Sequence, residues 1–128
     1  MKPLVKILIL DKEEIIFKAI KRALKNDKEI QYNITYCTTA FDGLKYIRSD
    51  KFNLVLIDLV LPGMNAIEAL RRIKNIDPKI PVVLMSGFTK NELQDDTLNN
   101  VSGFLIKPFT TEEIRSLILR ILKTEKIN

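Results

Sequence analysis

Four apolar runs of strand length constrain this chain more than anything else in it. They are Val5-Lys6-Ile7-Leu8-Ile9-Leu10, Leu54-Val55-Leu56-Ile57, Val82-Val83-Leu84-Met85 and Phe104-Leu105-Ile106. Most are nearly continuous rather than alternating. A strand with one wet face alternates, whereas a strand covered on both faces does not, so these runs read as parallel strands with helices on each side. Asn33-Ile34-Thr35-Tyr36-Cys37 alternates more and is rich in β-formers, which places a fifth strand at the sheet edge.

Helical patterns fill the gaps. Ile15, Ile16, Ala19, Ile20, Ala23 and Leu24 form one apolar face, and Phe41, Leu44 and Ile47 begin another. Asn65 with Glu68 reads as a capping box ahead of Ile67, Leu70, Ile73 and Ile76. Thr110 with Glu113 repeats the pattern ahead of Ile114, Leu117, Ile118, Ile121 and Leu122. Residues 91–99 make a short fourth helix anchored only by Leu93 and Leu98, and residues 124–128 are expected to fray. The order is β-α repeated through five strands, with no linker and no internal repeat. Right-handed crossovers then place helices on both faces of one doubly wound α/β domain. A chain of 128 residues has room for one such core without a disulfide or metal staple.

Composition removes several chemistries. With no histidine, Ser-His-Asp, Cys-His and histidine-base mechanisms are excluded. A single cysteine, Cys37, excludes an intramolecular disulfide and cysteine-ligated structural zinc. No run approaches the length of a membrane span, and Lys6 and Asp11 interrupt any signal-peptide core, so a cytoplasmic protein is expected. The net charge of +5 is spread over lysines and arginines interleaved with acidic residues, without an aromatic stacking set. That pattern reads as a solvated surface rather than a nucleic-acid groove.

In an open parallel sheet, ligands bind outside the carboxyl ends of the strands. The strand ends here are Asp11, Asp58, Ser86 and Lys107. Singly, each is an ordinary loop or helix-start residue. Together they assemble two carboxylates, a hydroxyl and an ammonium at one edge. A carboxylate can attack a phosphoryl group to form an acyl phosphate, and Asp58 ends the most apolar strand. Asp11 would help hold Mg²⁺, Lys107 would neutralise the transferred group, and Ser86 would hydrogen-bond it. No glycine follows the first strand, so neither a Walker loop nor a dinucleotide fingerprint is present there.

These residues resemble the receiver domain of two-component response regulators. The resemblance runs from about Lys6 to Leu122 and rests on four pieces. They are Ile7-Leu8-Ile9-Leu10-Asp11, Asp58-Leu59-Val60-Leu61-Pro62-Gly63-Met64, Leu84-Met85-Ser86-Gly87 and Lys107-Pro108-Phe109. It implies that residues 1–128 form one receiver domain with a flavodoxin-like sheet of order 2-1-3-4-5. It further implies that Asp58 accepts a phosphoryl group from a sensor histidine kinase or phosphotransfer protein. Ser86 would be the switch hydroxyl and Lys107 the lysine that pairs with the phosphoryl group. Phe104 would be the switch aromatic, a position equally compatible with plain core packing. The Lys107–Pro108 peptide would be cis. The output surface would be the fourth helix, fifth strand and fifth helix, roughly residues 91–122. That surface would serve a downstream effector, a fused output domain or a second copy of the chain. Neither nucleic acid nor membrane is expected to bind this domain directly.

Two departures from the family pattern stand out. Receivers usually carry two adjacent acidic residues after the first strand, and here the pair is Asp11-Lys12. Three outcomes are open. Glu13 supplies the missing Mg²⁺ ligand beside Asp11 and Asp58; Lys12 places its ammonium near Asp58; or Lys12 points to solvent. Asn65-Ala66 replaces the usual Asp-Gly and retains the cap. Val60 offers no polar group to a hydrolytic water, which predicts slow loss of a phosphoryl group. At most, the catalysis expected is self-phosphorylation and slow autodephosphorylation. A phosphorylation-independent interaction module is the alternative, with Lys12 as its discriminating feature. A turnover hydrolase is disfavoured because Val60 cannot act as acid or base. No DNA-binding element fits after the fifth helix, so the chain reads as a stand-alone receiver or the N-terminal part of a longer regulator.

Overall fold

The structure is a computed structural model that describes residues 1–87 and 99–125. Its elements are β1 (Leu4–Leu10), α1 (Glu14–Leu24), β2 (Gln31–Cys37), α2 (Ala40–Ser49), β3 (Leu54–Asp58), α3 (Ala66–Ile76), β4 (Val82–Ser86), β5 (Gly103–Ile106) and α4 (Thr111–Thr124). The helix expected over residues 91–99 falls almost wholly outside the described residues, so the expected fifth helix is α4 here. Of residues 124–128, expected to fray, 126–128 also lie outside the described residues, while Thr124 still belongs to α4.

All five strands are parallel, in the order β2-β1-β3-β4-β5. This is the expected doubly wound, flavodoxin-like sheet, with β2 at an edge. β3 and β4 are buried along their full length, which is why their sequences run apolar without alternation. Successive residues serve opposite layers. Leu8, Leu10, Val55, Ile57, Val82 and Leu84 pack against α2 and α3. Ile7, Ile9, Leu54, Leu56, Val83 and Met85 pack against α1 and α4.

The helix starts follow their caps. Thr110 Oγ1 accepts from the Glu113 amide at 3.1 Å while Glu113 Oε1 accepts from the Thr110 amide at 3.0 Å, a complete capping box. At α3 only half the motif forms. Asn65 Oδ1 accepts from the Ile67 amide at 2.7 Å, but Glu68 turns outward to Arg71 and Arg72. Two charged partners on its own helix face outbid the single backbone amide. Ile15, expected on the apolar face of α1, is 68% exposed. The buried stripe passes instead through Ile16, Phe17, Ile20, Ala23 and Leu24. Phe41 is likewise exposed at the start of α2, where its ring borders Gly63 in the β3–α3 loop.

Candidate functional site

The register brings the strand ends into one row. Leu10 lies opposite Ile57, so Asp11 and Asp58 emerge from adjacent strands side by side. Ser86 ends β4, next to β3, and Lys107 follows β5 immediately. The Lys107 amide donates to the Ser86 carbonyl at 2.7 Å, which holds the β5 end against β4. The Lys107–Pro108 peptide is cis, as expected.

Asp11, Asp58 and Ser86 are the buried polar side chains among the described residues. Each carboxylate is anchored by a backbone amide two residues on: Asp11 Oδ1 accepts from Glu13 at 2.8 Å, and Asp58 Oδ1 from Val60 at 3.0 Å. Their other oxygens share one cation. Lys107 Nζ donates to Asp11 Oδ2 at 2.7 Å and to Asp58 Oδ2 at 3.0 Å. Glu13 Oε1 stands 3.8 Å from the same ammonium, at the open mouth of the site. Burial pushes the Asp11 carboxyl up, against the lowering effects of Lys107 and the Glu13 amide. Burial alone would lower Lys107, but its contacts with Asp11 and Asp58 outweigh that and hold the ammonium above its ordinary value.

Carboxylate oxygens of Asp11, Glu13 and Asp58 all lie within 4.8 Å of one another. An all-oxygen, net negative set of this size suits a hard divalent cation such as Mg²⁺. The residues fit the group. The first outcome open for Lys12, a relocated ligand, is therefore geometrically available through Glu13. The second is not realised, because the ammonium between the carboxylates belongs to Lys107. Lys12 itself is exposed and forms no ion pair with a described residue, as the third outcome supposed. Phe104 is half-buried against the α2–α3 layer.

Two features of the site went beyond the sequence reading. One is that Lys107 binds Asp11 as well as Asp58, which requires a four-carbon stem crossing from β5 over β4 toward β3 and β1. The other is the pair of amide donors; their signal is an aspartate at a strand end, whose side chain commonly accepts from the amide two residues later.

Fold and site thus define a doubly wound α/β domain with a buried acid pair, a bridging lysine and a third carboxylate, Glu13, beside them at the carboxyl edge of its sheet. The family profile described as "Response regulator receiver domain" matches residues 7–119, and the chain belongs to that family. Phosphorelay signalling is the general function of the family. The chain is 25% identical over 126 residues to the "Probable transcriptional regulator ycf29" of Porphyra purpurea, covering 95% of this chain and 58% of that protein. It is 23% identical over 124 residues to the "Response regulator UvrY" of Escherichia coli K12, covering 96% and 56% respectively. It therefore spans little more than half the length of these curated relatives. Among solved structures, a CheY-like receiver domain protein from Methanospirillum hungatei matches with a TM-score of 0.82 at 26% identity, over 98% of this chain and 99% of that one. The signal receiver domain of a LuxO-type repressor from Vibrio parahaemolyticus matches with a TM-score of 0.86 at 22% identity, over 98% and 94%, and supports the fold. No described helix is long and apolar enough to cross a membrane.

Proposed function

We propose that residues 1–128 are a receiver domain in which Asp58 is the phosphoacceptor of a cytoplasmic two-component relay. The donor is a sensor histidine kinase or a phosphotransfer protein carrying phosphohistidine. One Asp58 oxygen attacks phosphorus, the P–N bond breaks, and its electron pair returns to the imidazole, giving an acyl phosphate. Asp11, Glu13 and Asp58 would hold Mg²⁺, which would supply charge neutralisation for the carboxylates and the incoming phosphoryl oxygens. Lys107 pairs with a phosphoryl oxygen, and the Ser86 hydroxyl donates to another. Ser86 and Phe104 then alter the surface of residues 91–122, which an effector, an output domain or a second copy reads.

One observation carries this reading: the Lys107 ammonium lies within hydrogen-bond distance of both Asp11 and Asp58 at the sheet's carboxyl edge. That is the charge arrangement a developing phosphoryl dianion requires. The same contact favours a second reading. Lys107 already neutralises the acid pair, and Lys12 stands where a second acidic residue is usual, so the domain could bind its partner without phosphorylation.

Intact mass after incubation with acetyl phosphate separates the two. The expected result is one phosphoryl adduct, lost with EDTA and absent in Asp58→Asn. No adduct from acetyl phosphate or from a phosphohistidine donor would leave the phosphorylation-independent module standing.

A further inference from the structure

One face of β2 carries two orphaned hydroxyls. The phenolic oxygens of Tyr32 and Tyr36 are closed to water and have no hydrogen-bond partner among the described residues. A buried donor without a partner costs about 1–3 kcal/mol, a cost that phenylalanine would avoid in either place. The two hydroxyls differ in what surrounds them.

Tyr32 stands near the start of β2, opposite Val5. Burial pushes its phenol up to about 12, and the charges that act on it are Asp27 and Arg115, neither of which belongs to the strand-end site. Tyr36 stands at the site end of the strand. It pairs with Ile9, and the Asp11 amide carries the same ladder on to the Cys37 carbonyl at 3.1 Å. Side chains two residues apart on a strand share a face, so Asp11 follows Ile9 on the α1 side of the sheet, diagonal to Tyr36. Diagonal neighbours lie about 7–8 Å apart, a gap that an aromatic side chain spans. The ring is fixed by stacking on Phe17 of α1, with centroids 4.8 Å apart and planes 3° from parallel. Burial pushes this phenol above its ordinary value, and the carboxylates of Asp11, Glu14 and Glu13 push the same way.

Asp11 has two donors, the Glu13 amide on one oxygen and Lys107 Nζ on the other. A divalent cation among Asp11, Glu13 and Asp58 competes with that ammonium. If Lys107 leaves Asp11, the buried carboxylate keeps only the amide. A donor that lines the α1 layer, away from the mouth where Glu13 stands, can then hold the carboxylate without occupying a ligand position. Outer donors of this kind orient a metal-binding carboxylate, and their loss typically costs about 10–100-fold in metal affinity.

We propose that Tyr36 is a positioning residue of this site: its hydroxyl is the outer donor that holds Asp11 when a divalent cation takes the place of the Lys107 ammonium. This rests on the proposed Mg²⁺ site. Calorimetric titration with Mg²⁺ at constant ionic strength tests it on the wild type, Tyr36→Phe and Tyr32→Phe, with urea unfolding of all three in EDTA. Tyr36→Phe is expected to bind Mg²⁺ about tenfold more weakly or worse, and to match or exceed wild-type stability in EDTA, because the stacked ring stays and the orphaned donor goes. Tyr32→Phe removes the other orphaned hydroxyl and is expected to bind Mg²⁺ as the wild type does. Equal Mg²⁺ affinity in Tyr36→Phe and the wild type would overturn the role of Tyr36 and leave the metal site standing. An equal loss in both variants, or a loss in Tyr36→Phe matched by lost stability in EDTA, would make the hydroxyl structural and overturn it too. A wild type that binds no Mg²⁺ would overturn the metal site and this role together.

Discussion

Asp11 and Asp58 sit side by side with almost no access to water, and Lys107 is the one cation among the described residues within 4 Å of both. Each carboxylate spends one oxygen on a backbone amide and the other on that ammonium. Lys107→Ala would leave two buried like charges facing each other. Removing one partner of a buried pair costs about 3–5 kcal/mol, and the open mouth at Glu13 lets water relieve part of it, so a loss of about 2–3 kcal/mol is expected. On the proposed Mg²⁺ site, the cation should then stabilise the variant more than the wild type, because it no longer competes with the Lys107 ammonium for the two carboxylates. Urea denaturation with and without Mg²⁺ measures both effects, and a variant of wild-type stability that ignores Mg²⁺ would contradict the charge argument. Val60 lies beside the same pair: its amide donates to Asp58 and the residue is 48% exposed. An isopropyl group there cannot orient a water. On the proposed phosphorylation of Asp58, Val60→Asn should therefore speed loss of the phosphoryl group, and an unchanged rate would refute that role.

Helix placement decides how tightly the site's framework is held. α2 approaches β1 closely at Gly43: a methyl group there would lie 2.4 Å from Leu10 Cδ2. Leu10 is fully buried and precedes Asp11, so it has little room to give. Alanine in place of glycine would normally favour a helix by about 1 kcal/mol. Overpacking costs about 1–3 kcal/mol, so Gly43→Ala is expected to destabilise the domain despite the better helix former. A denaturant titration that finds the variant more stable would show that Leu10 can rotate away. The helix starts also show which local signals were legible. Thr110 and Glu113 announced a capping box, and it forms because no arginine competes for Glu113. Asn65 and Glu68 announced the same box, but Arg71 and Arg72 lie one turn on and take the carboxylate. The competing charges were in the sequence; their priority over a backbone amide was not. Ile15 misled for a related reason. Helical periodicity defines a stripe but not its edges, and those depend on how α1 is rotated against the sheet.

At the scale of the whole molecule, continuous apolar runs were enough to specify five parallel strands with two covered faces, because exposure on either face would have forced alternation. The four residues ending the strands were legible too, since the sheet's carboxyl edge gathers whatever follows each run. What sequence could not supply was the reach of Lys107 across two strands to Asp11, which depends on register and strand order together. That two-faced architecture has an energetic consequence. Neighbouring residues of one strand support different layers: Leu84 packs toward α2 and α3, and Met85 toward α1 and α4, both with no exposure. The layers share their strands, so neither can melt while the other keeps a folded sheet to pack on. Leu84→Ala and Met85→Ala should each cost about 2–5 kcal/mol, as buried large-to-small changes do. Each should also lower one common transition rather than split it. Far-ultraviolet dichroism reports all the helices, whereas tyrosine fluorescence has reporters on both sides, with Tyr32 and Tyr36 in the α1–α4 layer and Tyr46 on α2. Coincident urea curves from the two probes, in both variants, are the expected result. Separate midpoints in either variant would mean that one layer is autonomous, and that the buried strands do not couple the two faces of the sheet.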